Sequence, residues 1–303
     1  MEALRWDERP ALRRPVLIAA FEGWNDGADA ASWAARYLAE TWSARTFATI
    51  DPEEFYDFTE VRPHVRLVDG VTRQVDWPAS ELSAASPPGT PHDVVFLRAA
   101  EPQLRWRAYS SLVVEVAKEL GIELVLTLGA LLADVAHTQD VPVTGMAADD
   151  ELMRRLGMMR SRYEGPTGIV GVVHDACSSA GIATASLWAS VPLYVGGTPS
   201  PKATLALVER ATSLLGSQVG TVELEVAAAA YERQVSEVVA EDEDMAAYVR
   251  RLEELDAGDV DGGGGDGGDV DGQEQAGDHQ GNLPSTDALA AEVERFLRDQ
   301  PSE

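Results

Sequence analysis

Residues 15–38 read PVLIAAFEGWNDGADAASWAARYL, an apolar run that breaks at the turn-rich EGWNDG and resumes with helical spacing. This pattern predicts a strand, a loop and a helix. The loop holds four residues suited to binding, Glu22, Trp24, Asn25 and Asp26. They follow the carboxyl end of the strand, which is where open α/β sheets form their binding crevice. The stretch therefore predicts an α/β fold with a binding crevice, and it does not specify a reaction.

Strand patterns continue through the first third of the chain. Residues 43–50, SARTFATI, favour a strand that follows the helix back into a parallel sheet as a βαβ unit. Between residues 61 and 77, two alternating segments flank Asp69-Gly70, and this dipeptide between such segments indicates a β-hairpin. Residues 83–92, SAASPPGTPH, are rich in proline and are expected to form a surface loop.

The order strand, helix, strand then repeats. DVVFLRA at residues 93–99 predicts a strand, residues 103–120 a helix with Gly121 at its C-cap, and IELVLTL from Ile122 another strand. A third round follows, with an amphipathic DELMRRLG near Asp150, a glycine-rich segment at 165–182 and the apolar ATASLWASVPLYV from Ala183. This alternation predicts an α/β fold, a mainly parallel sheet flanked by helices.

The C-terminal third has a different composition. Helical patterns fill residues 200–255, which we expect to form a helical hairpin packed with the sheet domain of residues 1–199. Residues 256–284 are rich in glycine and aspartate, which indicates a disordered acidic linker. Residues 285–303 predict a short amphipathic helix and tail. Four of its residues share an apolar face suited to docking on a partner, Leu289, Val293, Phe296 and Leu297.

Composition excludes several classes of function. The formal net charge of -27 repels nucleic acid and anionic membranes, so neither is an expected partner. Residues 241–303 alone hold 19 acidic and 4 basic side chains. The single cysteine, Cys177, excludes an intramolecular disulfide and a multi-cysteine zinc site. With a charged amino terminus and no apolar run of membrane-spanning length, the chain is expected to be cytoplasmic.

The carboxylates of the first loop allow two interpretations. Glu22, Asp26 and Asp29 form an oxygen-rich cluster of the kind that holds Mg²⁺ or Ca²⁺. We favour a structural role, in which Asn25 or Asp26 caps the following helix and Asp29 favours its macrodipole. Trp24 is then a candidate interface anchor. The glycine-aspartate linker lacks EF-hand order, so no metal or cofactor is expected.

Two other segments contain candidate catalytic side chains. In GALLADVAHTQDVPVTG, which starts at Gly129, Asp134 and His137 are three residues apart and would meet on a helical turn as base and orienter. We favour a solvated pair, because no nucleophile accompanies them. In VVHDACSSAG, His174 lies near Cys177 and two serines, but sequence adjacency is weak support for catalysis, and we interpret Cys177 as a small core residue.

Four segments together resemble the proteasome assembly chaperone 2 family in its actinobacterial form: FEGWNDGADAA from Phe21, TLGALLADVAHT from Thr127, YEGPTGIVGV from Tyr163 and SLWASVPLYV from Ser186. The resemblance spans roughly residues 10–255. It implies a phosphorylase/hydrolase-like α/β fold and a cytoplasmic homo-oligomer. It also implies a role in assembling proteasome α-subunits or in binding the assembled particle.

The resemblance has one departure and leaves two hypotheses. Chaperones of the wider family often end in a hydrophobic residue, a tyrosine and one more residue, whereas residues 299–303 read DQPSE. Docking is therefore expected through the sheet domain or the terminal helix. We favour a non-enzymatic chaperone or adaptor. The alternative is a small-molecule enzyme whose crevice is lined by the loop at Glu22 to Asp26 together with Gly129, Asp134 and His137, since fold alone does not decide function.

Overall fold

The computed structural model describes residues 3–147, 153, 154 and 163–260, and the side chains of these residues up to 255. It contains ten strands: β1 (Leu4–Trp6), β2 (Val16–Glu22), β3 (Arg45–Ile50), β4 (His64–Val68), β5 (Thr72–Asp76), β6 (Ser80–Ala85), β7 (Val94–Ala100), β8 (Leu124–Ala133), β9 (Val143–Ala147) and β10 (Ala183–Pro192). The described α-helices are α1 (Ala30–Thr41), α2 (Trp106–Glu119), α3 (Ile169–Ser179), α4 (Pro201–Leu215), α5 (Val222–Glu241) and α6 (Glu243–Val260).

Eight strands form one mixed sheet in the order β1-β3-β6-β7-β2-β8-β10-β9. The central strands β7, β2, β8 and β10 pair in parallel, and the outer strands pair antiparallel. The predicted α/β fold is confirmed. The predicted return of residues 43–50 to the sheet also holds, since β3 runs in the same direction as β2. Its hydrogen-bonded neighbours, however, are the antiparallel β1 and β6.

The sheet is buried on both faces because its apolar side chains alternate between two helical layers. Helices α1 and α4 cover one face, where Ile18, Phe96 and Leu128 meet the alanine-rich side of α1 and Leu207 of α4. Helices α2 and α3 cover the other face, against Leu17, Phe21 and Leu97. Alternate residues of β2 thus point to opposite layers, as the pleat of a strand requires. Helix α4 therefore belongs to the main core.

Two elements of the antiparallel part were predicted with different success. The hairpin around Asp69-Gly70 is confirmed: β4 and β5 form a separate two-stranded sheet, and both turn residues have positive φ. The predicted surface loop at 83–92 is wrong over Ser83–Ala85, because these residues complete β6, which pairs with β3 and β7. The loop begins at Ser86, where the strand ends.

The C-terminal helices are present as predicted, and they are broken in one place. The long helical run divides at Asp242, whose Oδ1 accepts hydrogen bonds from Asp244 N at 2.8 Å and Met245 N at 3.0 Å, so it caps α6. Helices α5 and α6 share a third apolar cluster with Tyr194 and Val195, which follow β10. Helix α6 ends at Val260, inside the range predicted as a linker.

Three predictions fall on other parts of the chain. Most of the amphipathic segment near Asp150, the remainder of the linker and the terminal helix with its docking residues lie outside the described residues. No helix of the described part is both long and apolar enough to cross a bilayer.

Candidate functional site

The loop after β2 is held open by a glycine and exposes an aromatic ring. Gly23 has a φ of +122°, and a Cβ there would lie 3.2 Å from Glu101 Cβ, so both backbone conformation and space favour glycine. Glu22 is exposed and forms a 3.4 Å ion pair with Arg36 of α1. Trp24 is 57% exposed. Of the predicted site residues, these two and Asp134, which directly follows β8, are exposed at the carboxyl edge of the sheet.

Asp26 caps helix α1, as predicted. Its side chain is buried, and its Oδ1 accepts hydrogen bonds from Ala31 N at 2.7 Å and Ser32 N at 3.1 Å. These donors are among the N–H groups that a helix N-terminus leaves unpaired. Burial raises the pKa of Asp26 to about 6, although the hydrogen bonds from Ser32 and Ala31 partly oppose the shift. Its second oxygen, Oδ2, is buried and has no hydrogen-bond partner among the described residues.

Asn25 lies against the start of helix α3. Its backbone O accepts from Ala130 N at 2.9 Å, which joins the loop to β8. Its side-chain Oδ1 is buried without a partner, and a Cβ added to Gly168 would come within 1.9 Å of it. The absence of a side chain at Gly168 is therefore what lets Asn25 approach α3.

Glu101, which sequence reasoning missed, completes this cluster. It follows β7, its N donates to Glu22 O at 2.8 Å, and its Oε1 accepts from Ile169 N at 2.8 Å. The carboxylate thus caps α3 while its backbone extends the pairing of β7 with β2. The rule that selected Glu22 would have selected it too, because Glu101 lies at the carboxyl end of the neighbouring parallel strand.

Gly129 has a packing role in β8. It pairs with Trp188 of β10, and a Cβ at this position would lie 2.5 Å from the Trp188 ring. The indole therefore occupies the space that any larger residue at 129 would need. Gly129 has no polar side chain, and its backbone groups lie within the sheet. It therefore has no side-chain group that could bind a ligand.

Asp134 and His137 do not share a helical turn, because β8 continues to Ala133 and an irregular bend follows. Asp134 Oδ1 accepts from Tyr248 Oη at 2.7 Å. His137 instead contacts Tyr194 and Ser236. Asp134 and His137 thus have separate partners, and both attach the C-terminal helices to the sheet. The favoured interpretation of a solvated pair is wrong for His137, which is buried, although Asp134 is exposed. We name residues 134–139, with these partners, the polar clamp.

Hydrogen bonding in the polar clamp assigns the tautomer of His137. Tyr194 Oη accepts from His137 N at 2.8 Å and lies 2.7 Å from Nδ1, so its O–H donates to that ring nitrogen. The ring proton is then on Nε2 and is donated to Ser236 Oγ at 3.0 Å. Every polar atom of His137 therefore has a partner in the neutral state.

A neighbouring cation also keeps His137 neutral. Lys202 Nζ donates to His137 O at 2.7 Å and to Glu232 Oε2 at 2.5 Å. Burial first, and then Lys202, lower the pKa of His137 to about 4, while Glu232 and Glu253 act in the opposite direction. The cavity beside this residue has room for about one water molecule, which is too small for a substrate.

The third candidate segment forms the body of helix α3. Cys177 is fully buried, and burial raises the pKa of its thiol to about 11, so it remains a protonated core residue, as predicted. His174 has ring nitrogens near Ser186 Oγ at 3.0 Å and Thr184 Oγ1 at 3.3 Å. Within the described ranges, no three His, Cys, Asp or Glu side chains are grouped so that they could hold a metal ion.

Comparison with known proteins identifies relatives of this fold and sequence. A family model described as the PAC2 family matches residues 20–239. A PAC2 family protein from Streptomyces avermitilis is 44% identical, with a TM-score of 0.73, and the match covers 78% of this chain and 99% of that one. A proteasome-assembly chaperone homologue from Mycobacterium tuberculosis is 46% identical, with a TM-score of 0.71 over 77% of this chain and 99% of that one.

More distant structures share the fold alone. PbaB, an archaeal proteasome activator from Pyrococcus furiosus, is 16% identical with a TM-score of 0.63, and the match covers 78% of this chain and 97% of that one. Among curated proteins, no match was found. The family model spans well over half of the chain, and the predicted family is confirmed. This chain belongs to the PAC2 family.

Proposed function

We propose that this chain acts by binding proteasome subunits, as an assembly chaperone or as an adaptor of the assembled particle. The observation that supports this most directly is its 46% identity to a proteasome-assembly chaperone homologue over nearly the whole of that protein. We further propose that the α-subunits are the client and that the chain works as a cytoplasmic homo-oligomer. Binding, and not catalysis, is the activity to be tested.

The geometry of the predicted crevice favours a binding role over an enzymatic one. An enzyme would need a nucleophile, a base and a group that orients the base within reach of one another. Here Asp134 and His137 are engaged by the C-terminal helices, and Cys177 is a buried thiol of raised pKa. The unpartnered Asn25 Oδ1 and Asp26 Oδ2 support a ligand at this edge, which keeps small-molecule catalysis as the alternative.

We propose the carboxyl edge of the sheet as the client-binding surface. Its loops expose Trp24 to 57%, Leu104 to 47% and Tyr163 to 46%. Trp and Tyr side chains such as Trp24 and Tyr163 supply much of the binding energy at protein interfaces. Glu22 is exposed beside Trp24 and supplies a polar group to this surface, while the buried Asn25 and Asp26 support the loop that presents Trp24. The terminal segment with Leu289, Val293, Phe296 and Leu297 is a second proposed contact.

Native mass spectrometry of the full chain mixed with α-subunits from its own source tests this proposal, because it reports stoichiometry and any retained ligand. We expect a defined complex that Trp24→Ala weakens by at least about tenfold, a loss usual for an interface hot spot. Val226→Ala on α5 is the control, since Val226 is 65% exposed and belongs to another surface. A variant ending at Val260 measures the contribution of the terminal segment.

Three results would contradict the proposal or one of its parts. The first is a chain that ignores the α-subunits and retains a bound small molecule, which would support the enzymatic alternative. The second is a complex that Trp24→Ala and Val226→Ala weaken equally, which would remove the carboxyl edge from the interface. A single species at the mass of the monomer would contradict the homo-oligomer.

A further inference from the structure

The hairpin β4–β5 has its apolar side turned to solvent. Val65 lies opposite Val75 and Leu67 opposite Arg73, so these side chains occupy one face of the two-stranded sheet. Val65 and Leu67 are each 58% exposed, Val75 is 47% exposed, and Trp77, directly after β5, is 55% exposed. We name Val65, Leu67, Val75 and Trp77 the hairpin face.

The polar side of the same hairpin is already satisfied. Arg66 donates to Asp76 Oδ2 at 2.6 Å and to Gln74 Oε1 at 2.8 Å, all on the opposite face. A two-stranded sheet alone is marginally stable in water, and it gains stability when its apolar face is covered. Trp77 contacts Phe58 edge to face, with ring centroids 4.9 Å apart, yet more than half of its surface remains open. An occupant that covered the hairpin face would therefore stabilise the hairpin.

The hairpin differs in net charge from the chain as a whole. Residues 61–77 hold three arginines and two aspartates, within a chain of net charge -27. Neither Arg62 nor Arg73 has an ion-pair partner in the part of the chain that the structure describes. Residues 261–303, by contrast, hold 11 acidic side chains and two arginines. A basic, apolar face thus complements an acidic segment that contains its own predicted apolar face.

The position of the hairpin places it within reach of the segment that follows α6. The hairpin follows β3 at the carboxyl edge of the sheet, and β3 lies four places from β8, about 19 Å at the usual strand spacing. Beyond β8, Thr138 Oγ1 donates to Glu253 Oε1 at 2.6 Å, which holds the last turns of α6 at that same edge. Twenty-four residues, 261–284, separate α6 from residues 285–298, and a glycine-rich sequence of this length is expected to reach about 25–30 Å.

We propose that the hairpin face binds residues 285–298 of the same molecule, with Leu289, Val293, Phe296 and Leu297 against Val65, Leu67, Val75 and Trp77. Residues 285–298 hold three acidic side chains and two arginines, and the preceding residues 261–284 hold six acidic side chains and no lysine or arginine, so Arg62 and Arg73 would attract chiefly this preceding stretch. The contact requires no proteasome subunit and is measured on the isolated chain, so it is tested separately from the proposed function. It uses the same four residues as the second client contact proposed above, so a client that binds them has to displace the hairpin face.

Hydrogen exchange of the full-length chain tests the contact, with the amides of residues 65–77 as the readout. We expect Leu289→Ser/Phe296→Ser to speed exchange in the hairpin by about tenfold, since an uncovered hairpin opens more easily. The three described core clusters are built from residues 3–252, so the sheet domain is expected to remain intact in this variant. Ala291→Ser, on the opposite side of the predicted helix, is the matched control and is expected to leave the exchange rates unchanged.

A second comparison excludes other occupants. The protection is expected to be the same over a hundredfold range of protein concentration, because the contact is within one molecule. Protection that increases with concentration would assign the hairpin face to a second copy and overturn the proposal. Equal exchange rates in Leu289→Ser/Phe296→Ser, in Ala291→Ser and in the unmodified chain would overturn it as well.

Discussion

The loop around Asp26 and the polar clamp around His137 both place a buried ionisable group at the carboxyl edge of the sheet, but they differ in how completely its atoms are bonded. Both ring nitrogens of His137 have partners. Asp26 uses one carboxylate oxygen and leaves the other buried without one. Removing any member of a fully bonded network leaves its partners unsatisfied, which lowers stability. Such a network therefore holds the attached helices in place. An incomplete one is the better candidate for a ligand or partner.

Among the substitutions that distinguish the two regions, His137→Ala is expected to have the largest effect on stability. This change leaves Tyr194 and Ser236 without their ring partner and opens space between the sheet and α5. We expect the free energy of unfolding to fall by about 2–4 kcal/mol, as for other buried polar networks. Urea denaturation measures the loss, and hydrogen exchange is expected to locate it in α5 and α6.

His64→Ala is the control for that variant, because His64 is exposed on the hairpin. A loss below about 0.5 kcal/mol in His137→Ala, as is usual for a surface substitution, would show that the polar clamp does not hold the helices.

A smaller effect on the other region is expected from Gly168→Ala. The added methyl group would come within 1.9 Å of Asn25 Oδ1 and 2.7 Å of Glu101 Oε1, so the loop and α3 must separate. Overpacking of this kind costs about 1–3 kcal/mol. Thermal and urea denaturation measure the loss. In Gly220→Ala the methyl group meets nothing within 4 Å, so a similar loss in that variant would contradict the steric explanation.

The third expected effect has the opposite sign: Asp26→Asn is expected to gain stability. The amide keeps an oxygen for Ala31 N and Ser32 N and removes the buried charge. Because the pKa of Asp26 is raised from 3.8 to about 6, its contribution to stability is present below pH 3.8 and lost as pH rises through 6. We expect a gain of about 1–3 kcal/mol at pH 8 that vanishes near pH 3.5.

The pH dependence of stability in Asp26→Asn also separates the two groups, because protonation of His137 changes the stability in the opposite direction to protonation of Asp26. Its pKa is lowered from 6.5 to about 4, so its contribution is present above pH 6.5 and lost as pH falls through 4. In the unmodified chain the contributions of Asp26 and His137 to stability change in opposite directions between pH 4 and 6. Asp26→Asn is therefore expected to lose stability on acidification more steeply than the unmodified chain. A shallower slope would show that Asp26 is not the titrating group.

The local parts of the fold could be predicted from sequence, because their signals lie within a few residues. The break at EGWNDG placed β2 and α1, Asp69-Gly70 placed the hairpin, and Gly121 takes the positive φ that a helix end requires. Strand β6 was missed because SELSAA contains no β-branched residue and runs into a proline-rich loop. Its burial comes from β3 and β7 on either side.

The candidate site was only partly predictable, because its contacts join distant segments. Glu101 caps a helix that begins 68 residues later, and His137 bonds Ser236, 99 residues away. Spacing in sequence suggested that Asp134 and His137 belong together, whereas the bend after β8 directs them to different helices. Asp26 was identified correctly because a cap acts within its own loop and helix.

The central position of β2 has a consequence for synthesis of the chain. Val16 of β2 pairs with Val94 of β7 on one side and with Leu124 of β8 on the other. Strand β2 is synthesised before both of these partners, so it cannot pair with them until they are made. At ribosomal rates of about 5–20 residues per second, roughly 4–16 s pass before β7 is complete. During that interval the nascent chain displays VLIAAF, six residues that are all buried in the finished sheet. A protein that we propose to assist assembly is thus exposed to aggregation in its own first seconds on the ribosome.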